Sequence, residues 1–352
     1  MQKEKMSSAE RMEAFYSGNK IDRVPCLISG AIYAGCRFGL TAEEFYLNPQ
    51  KAYDAQIEVY KQHGSDDVPY FDLPLGDLLD FGGKIYISKN KMHLPQVLEY
   101  PVNSFNEAVD YVMPPAKDGF NLKTSLEFMR MMKAKGENGV SVPAGSPLSE
   151  LLYIVRPDLL LKWFLSEPEL VFKLLDQVIN HLEEVADIII AEFGVENCSA
   201  FAFLPGESNN MISPALAERF GIPYLKKIKD IYKKKGIDSF GIHICGRQNA
   251  NLNLYKQLNL PQGSYISVDE GTDIYKASEI LGKDNIYAGN VPTKYFLMNT
   301  TDLVLEYSKE LISKMKYNEG GFILTASCSL PLNARPENVD SMVWAAEQYG
   351  KY

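Results

Sequence analysis

The sequence predicts an α/β protein folded as one (β/α)8 TIM barrel over residues 1–352, with an N-terminal helical extension and an insertion after the second strand. Three observations carry that prediction. Short apolar runs alternate with long helical patterns, as right-handed βαβ units and a parallel sheet require. Eight such runs are present, which fits a barrel better than an open doubly wound sheet. Each run is near-continuously apolar rather than alternating, the mark of a parallel strand covered on both faces.

The predicted strands are 24–28, 67–71, 139–142, 198–203, 239–244, 265–268, 285–288 and 321–324, each bounded by Gly, Pro, Asp or Asn. Ser166-Glu167-Pro168-Glu169 reads as a capping box with Pro in the first turn, opening a helix to about Phe193. Ser213-Pro214 opens a helix through Lys235 that stops at Gly236. A helix over 276–281 stops at Gly282, Thr301-Asp302 starts another, and Pro336-Glu337 starts the last, which ends near Tyr349. The stretch after the second run contains 84–88 and 96–100 with a turn at Asn90, so a small hairpin over the barrel mouth is expected there.

Composition narrows the function. The chain is 46% hydrophobic and 23% charged, ordinary for a globular protein, and long enough for a sizeable core. Its net charge of −9 argues against nonspecific nucleic-acid or anionic-membrane binding, which need a basic footprint. No apolar run approaches the roughly 18 residues of a membrane span, and residues 1–11 are polar and helix-prone, so a cytoplasmic address is expected. Five cysteines, an odd number in a large chain, speak against a disulfide framework. Reduced thiols leave packing, metal binding or catalysis. Cys26, Cys36 and Cys198 are expected to pack as small core residues.

Barrel chemistry sits at the C-terminal ends of the strands. The fifth run ends Gly241-Ile-His243-Ile-Cys245-Gly246, and residues two apart on a strand point the same way. The eighth run ends Thr325-Ala-Ser-Cys328, and the sixth ends Val268-Asp269-Glu270, which supplies carboxylates. One imidazole, two thiols and a carboxylate at one rim read as a zinc site. Glu207, in the loop after the fourth run, is a candidate to orient substrate or protonate a leaving group; a solvated loop residue or a cap is its plainer role. Asp72 and Asn290 are expected to bond loop backbone, Tyr33 and Tyr70 to pack in the core, and His181 to be surface or core. The lysine-rich stretch 226–235 reads as a solvated helix face, with docking of an acidic partner as the alternative.

The opening Glu10-Arg-Met-Glu-Ala-Phe-Tyr-Ser-Gly18 with Ile21-Asp-Arg-Val-Pro25 resembles the start of the uroporphyrinogen decarboxylase superfamily. His243-Ile-Cys-Gly246, Ser267-Val-Asp-Glu270, Ala277-Ser-Glu-Ile-Leu-Gly282, Ala288-Gly-Asn-Val291, and Phe322–Cys328 with Arg335-Pro-Glu-Asn338 resemble its corrinoid-dependent methyltransferase branch. The likeness runs over essentially the whole chain. It implies a single barrel domain of uroporphyrinogen decarboxylase type, with catalytic Zn²⁺ held by His243, Cys245 and Cys328. By likeness to cobalamin-independent methionine synthases, Glu270 or its neighbour Asp269 would be a fourth ligand that yields to substrate. The Arg-Gln-Ala-Gly-Arg-Tyr motif of true decarboxylases is replaced here by Ser29-Gly-Ala-Ile-Tyr-Ala-Gly-Cys-Arg37, which argues against porphyrinogen carboxylates as substrates.

The resemblance therefore implies a zinc-dependent methyltransferase moving a methyl group between a corrinoid (methylcobalamin) carried by a partner protein and a small substrate, with a zinc-activated thiol as acceptor. The alternatives are an O-demethylase-type transfer from a methoxylated or methylated donor, a metal-free decarboxylase, and a binding scaffold with a closed structural zinc. Glu207 and Glu270 are the expected catalytic carboxyls, and no Asp-x-His-x-x-Gly corrinoid module is visible.

Overall fold

The computed structural model describes residues 6–137 and 139–352. Its strands are β1 (Cys26–Leu27), β2 (Lys84–Tyr86), β3 (Gln96–Glu99), β4 (Val140–Pro143), β5 (Cys198–Phe203), β6 (Phe240–Ile244), β7 (Tyr265–Val268), β8 (Ile286–Val291) and β9 (Phe322–Ala326). Parallel strands alternating with helices make this a TIM-barrel fold, the class the sequence predicts. The described residues form two compact units.

The first unit combines residues 1–70, 90–92 and 265–352. Its parallel strands lie in the order β1-β9-β8-β7, with Cys26 opposite Leu324, Gly289 opposite Leu324 and Tyr265 opposite Ile286. The helix Ser8–Tyr16 carries a capping box from Ser7 and Glu10, while residues 1–5 of the helix-prone opening lie outside the described residues. Arg11 on that helix donates to Asp22 (2.7 Å) and to Asp66 (2.6 Å), and Arg23 donates to the other Asp66 oxygen at 2.7 Å. The side chains of Arg11 and Asp66 are wholly buried. The Arg and Asp residues of the opening motif thus serve as a buried ionic clamp, stabilised only because every charge is paired.

The expected strand at 67–71 is not formed. Side-chain carboxylates replace the neighbouring ladder: Asp66 Oδ2 accepts the Cys26 N–H at 2.9 Å, and the Asp67 oxygens accept those of Ile28 (2.6 Å) and Ser29 (3.0 Å). The Gln56 side-chain amide then bonds both the N–H and the C=O of Tyr70, each at 3.0 Å. Apart from one backbone bond, from the Asp66 N–H to the Cys26 carbonyl at 2.8 Å, side chains serve these backbone groups in place of a strand partner.

The second unit combines residues 71–89 and 93–264. Its parallel strands run β6-β5-β4, with Val140 opposite Cys198 and Phe203 opposite His243. The expected hairpin is present as antiparallel β2 and β3. Coverage on both faces holds for β6, whereas β4 and β5 alternate buried and accessible residues. The long helix Pro168–Phe193 forms as expected, but without the capping box: Ser166 ends the preceding helix Pro157–Ser166, and its hydroxyl donates back to the Lys162 carbonyl. The helix opened by Ser213 widens to a π segment over Ala217–Gly221 before Ile222–Lys234. Pro223 lacks the N–H that an unbroken α ladder would use there.

Candidate functional site

In the second unit β6 is buried along its whole length, and its C-terminal end presents His243 and Cys245. The ligand atoms of these two residues lie within 4.8 Å of one another. Two donors at about 2.0–2.3 Å from a tetrahedral zinc would sit about 3.6 Å apart, so a nitrogen and a sulfur so placed fit that ion. The Phe203 ring meets the His243 ring edge-on, with centroids 5.8 Å apart, so an aromatic wall from β5 restricts how the imidazole can turn.

Gly246 follows at φ +77°, and a Cβ there would stand 2.8 Å from the Ser208 hydroxyl oxygen, so glycine is needed both for the turn and for the close approach. Gln248 then donates to the carbonyls of Cys245 and Leu204, both at 2.6 Å, and accepts from the Tyr255 hydroxyl. Asn251 donates to the Glu207 carbonyl at 2.7 Å. Gln248, Asn251 and Tyr255 are almost completely buried polar residues that fix the loops after β5 and β6. Sequence reasoning missed them, although Gln, Asn and Tyr at helical spacing directly after Cys-Gly were a usable signal.

Glu207 proves to be neither a cap nor a solvated loop residue. It is 0% exposed, and its two oxygens accept from the Ser146 and Ser149 hydroxyls, the latter at 3.0 Å. Ser149 itself accepts the Gly206 N–H at 2.9 Å, which leaves its proton for Glu207. Burial raises the carboxyl to about 7 from its ordinary 4.5, against the lowering effect of the two serines. Glu150, on the helix Pro147–Ile154, is also buried, and burial with Asp77 and Glu207 nearby pushes it well up. Ser146, Ser149 and Glu150 were not singled out from the sequence.

In the first unit Glu270 follows β7. Its Oε2 accepts from the Thr293 N–H (2.9 Å) and the Ser327 hydroxyl (3.0 Å), while Lys294 Nζ lies 3.7 Å from Oε1. One carboxylate thereby ties the loops after β7, β8 and β9 together. Cys328 follows Ser327 and is half-buried. Asp269 Oδ1 accepts the Gly271 N–H at 2.8 Å, a local turn, and Asn290 bonds the carbonyls of Asp269 and Thr272, the loop-backbone role expected of it.

The remaining candidates fall away from this chemistry. His181 is buried against Phe81, Cys26 and Cys198 are buried, and Cys36 is half-buried instead of sitting in the core. Tyr33 is buried, whereas Tyr70 is 36% exposed. In the lysine-rich helix, Lys227 pairs with Asp176 and Lys235 with Asp187.

A TIM barrel with a buried, proton-holding carboxyl and an imidazole–thiol pair at strand ends defines a candidate metal-assisted enzyme. The chain belongs to the uroporphyrinogen decarboxylase (URO-D) family, which it matches over residues 7–349. It is 28% identical over 146 residues to the methylcobamide:CoM methyltransferase MtbA of Methanosarcina acetivorans, and 29% identical over 145 residues to that of Methanosarcina mazei. Each match covers 41% of this chain and 40% of the relative, so the aligned part spans about two-fifths of their length. A solved methyltransferase from Methanosarcina mazei shares the fold, with a TM-score of 0.74 and 21% identity over 98% of this chain and 99% of that one.

Proposed function

We propose that this chain is a corrinoid-dependent methyltransferase that moves a methyl group between a corrinoid carried by a partner protein and a small substrate, with a thiol as acceptor. The observation that carries the reading is the His243–Cys245 pair at the end of β6. Residues 1–352 would act as one barrel domain, working in the cytoplasm. Cys328 would supply the third zinc ligand. Glu270 would be the fourth and displaceable one, through Oε1, because its Oε2 is already engaged. Zinc so held would supply positive charge that keeps a neighbouring sulfur deprotonated at neutral pH. The names of the relatives that share part of the sequence support the corrinoid side of this reading.

Around such a centre the chain's own residues divide the work. Phe203 shields and orients the imidazole, Gln248 and Asn251 hold the loops, and Glu207 gives or takes a proton. Glu207 also favours a second direction. A carboxyl holding its proton near neutrality suits a departing oxygen, as demethylation of a methoxylated donor requires.

Metal content and turnover test the proposal together. Wild-type protein should carry about one zinc per chain, lost in His243→Ala and Cys328→Ala, and should transfer methyl from methylcobalamin to a thiol. Folded wild type purified without chelator and free of zinc would overturn it. Consumption of a methoxylated donor with no thiol methylation would select the second direction.

A further inference from the structure

The helix Pro147–Ile154 brings a second carboxyl beside Glu207. Ser146 and Ser149, the residues that hold Glu207, both lie just before Glu150 in the sequence, so the Glu207 carboxyl meets the first turn of the helix that carries Glu150. Glu150 is 7% exposed, and its Oε2 is buried with no hydrogen-bond partner. Its carboxyl lies against bare backbone: a Cβ on Gly145, which sits at φ +52° just past β4, would be 2.6 Å from Glu150 Oε1. A Cβ on Gly221 would likewise be 3.2 Å from the Glu207 side chain. Missing side chains thus make room for two acidic groups at the C-terminal ends of β4 and β5.

The charges acting on Glu150 are those of Asp77 and Glu207, both acidic. One turn further along the helix, Tyr153 feels Glu150, Asp77, Asp72 and Cys245. A bound donor would fill the buried oxygen that the fold leaves without a partner. An anionic ligand would meet acidic groups here, whereas a cation would be paired and could lean on the half-buried Tyr153 ring.

We propose that Glu150 and Glu207 seat a cationic amine, an ammonium or methylated ammonium group carried by the small substrate, with Glu150 Oε2 as its principal acceptor. The word substrate rests on the methyl-transfer reading; the class of ligand rests on this pair alone. Burial and its acidic neighbours push the Glu150 carboxyl well up, and a seated cation would pull it back down, so binding releases protons. Asp77, Glu207, Tyr153 and Tyr232 are the titratable groups facing it.

Calorimetry on the purified full-length chain tests this, with trimethylammonium chloride and sodium ethanesulfonate as probes. Trimethylammonium should bind, ethanesulfonate should not, and the binding enthalpy should change with the ionisation heat of the buffer. Glu150→Gln should weaken trimethylammonium binding at least tenfold. Binding of ethanesulfonate alone, an enthalpy independent of buffer, or unchanged affinity in folded Glu150→Gln would each overturn the proposal. Should that variant not fold, the buffer dependence of the wild type decides. His243→Ala separates the two readings: amine binding without zinc in both proteins would sink the zinc centre and leave the amine seat standing.

Discussion

Glu207 shows how much a single residue depends on its surroundings. The sequence offered it as a candidate proton donor after a strand; complete burial raises its carboxyl, and two serines more than fifty residues upstream hold both of its oxygens. Its folded value of about 7 lies above the ordinary 4.5, so the folded chain holds this proton more tightly than the unfolded chain does. That contribution is complete below the ordinary value and is lost as pH rises through the folded one, amounting to about 3 kcal/mol. Asp77, raised by burial to about 6, acts in the same direction. Glu207→Gln should therefore flatten the fall in stability between about pH 5 and about pH 8, read from urea midpoints. His243 and Cys245, by contrast, were legible because two residues on one strand share a direction. Glu270 was legible as a strand-end carboxylate, but its anchoring of Thr293 and Ser327 required the fold.

At the scale of elements, apolar runs found β5 and β7 at their observed bounds, although in both strands buried and more accessible residues alternate. The run at 67–71 misled for a physical reason: apolar residues need a covered place, not a ladder, and Asp66, Asp67 and Gln56 serve the backbone there. Gln56→Leu should remove both hydrogen bonds to the Tyr70 backbone and cost about 1–3 kcal/mol, seen as a lowered denaturation midpoint in a chain that still folds. The Ser166 capping box failed similarly, since the same four letters also end a helix. Helix starts at Ser213 and Pro336 were read correctly because their cues had no competing use.

At the scale of the whole molecule, the first unit is assembled from both ends of the chain. Cys26 pairs with Leu324, the Val24 N–H donates to the Gly350 carbonyl, and Arg23 bridges to Lys351. These contacts should open and close together. Native-state hydrogen exchange should give the amides of Val24 and Leu324 matching protection, while exposed Leu98 in β3 exchanges faster. Unequal protection of Val24 and Leu324 would show that the two ends do not form a cooperative block.

That closure by distant segments bears on biosynthesis. A ribosome adding about 5–20 residues per second takes on the order of tens of seconds to pass from Cys26 to its partner Leu324. Throughout that interval Val24, Cys26 and Ile28, all fully buried in the finished protein, have no strand beside them on the β9 side. The nascent chain therefore carries β1 without its β9 partner while residues 93–264 are already available to fold.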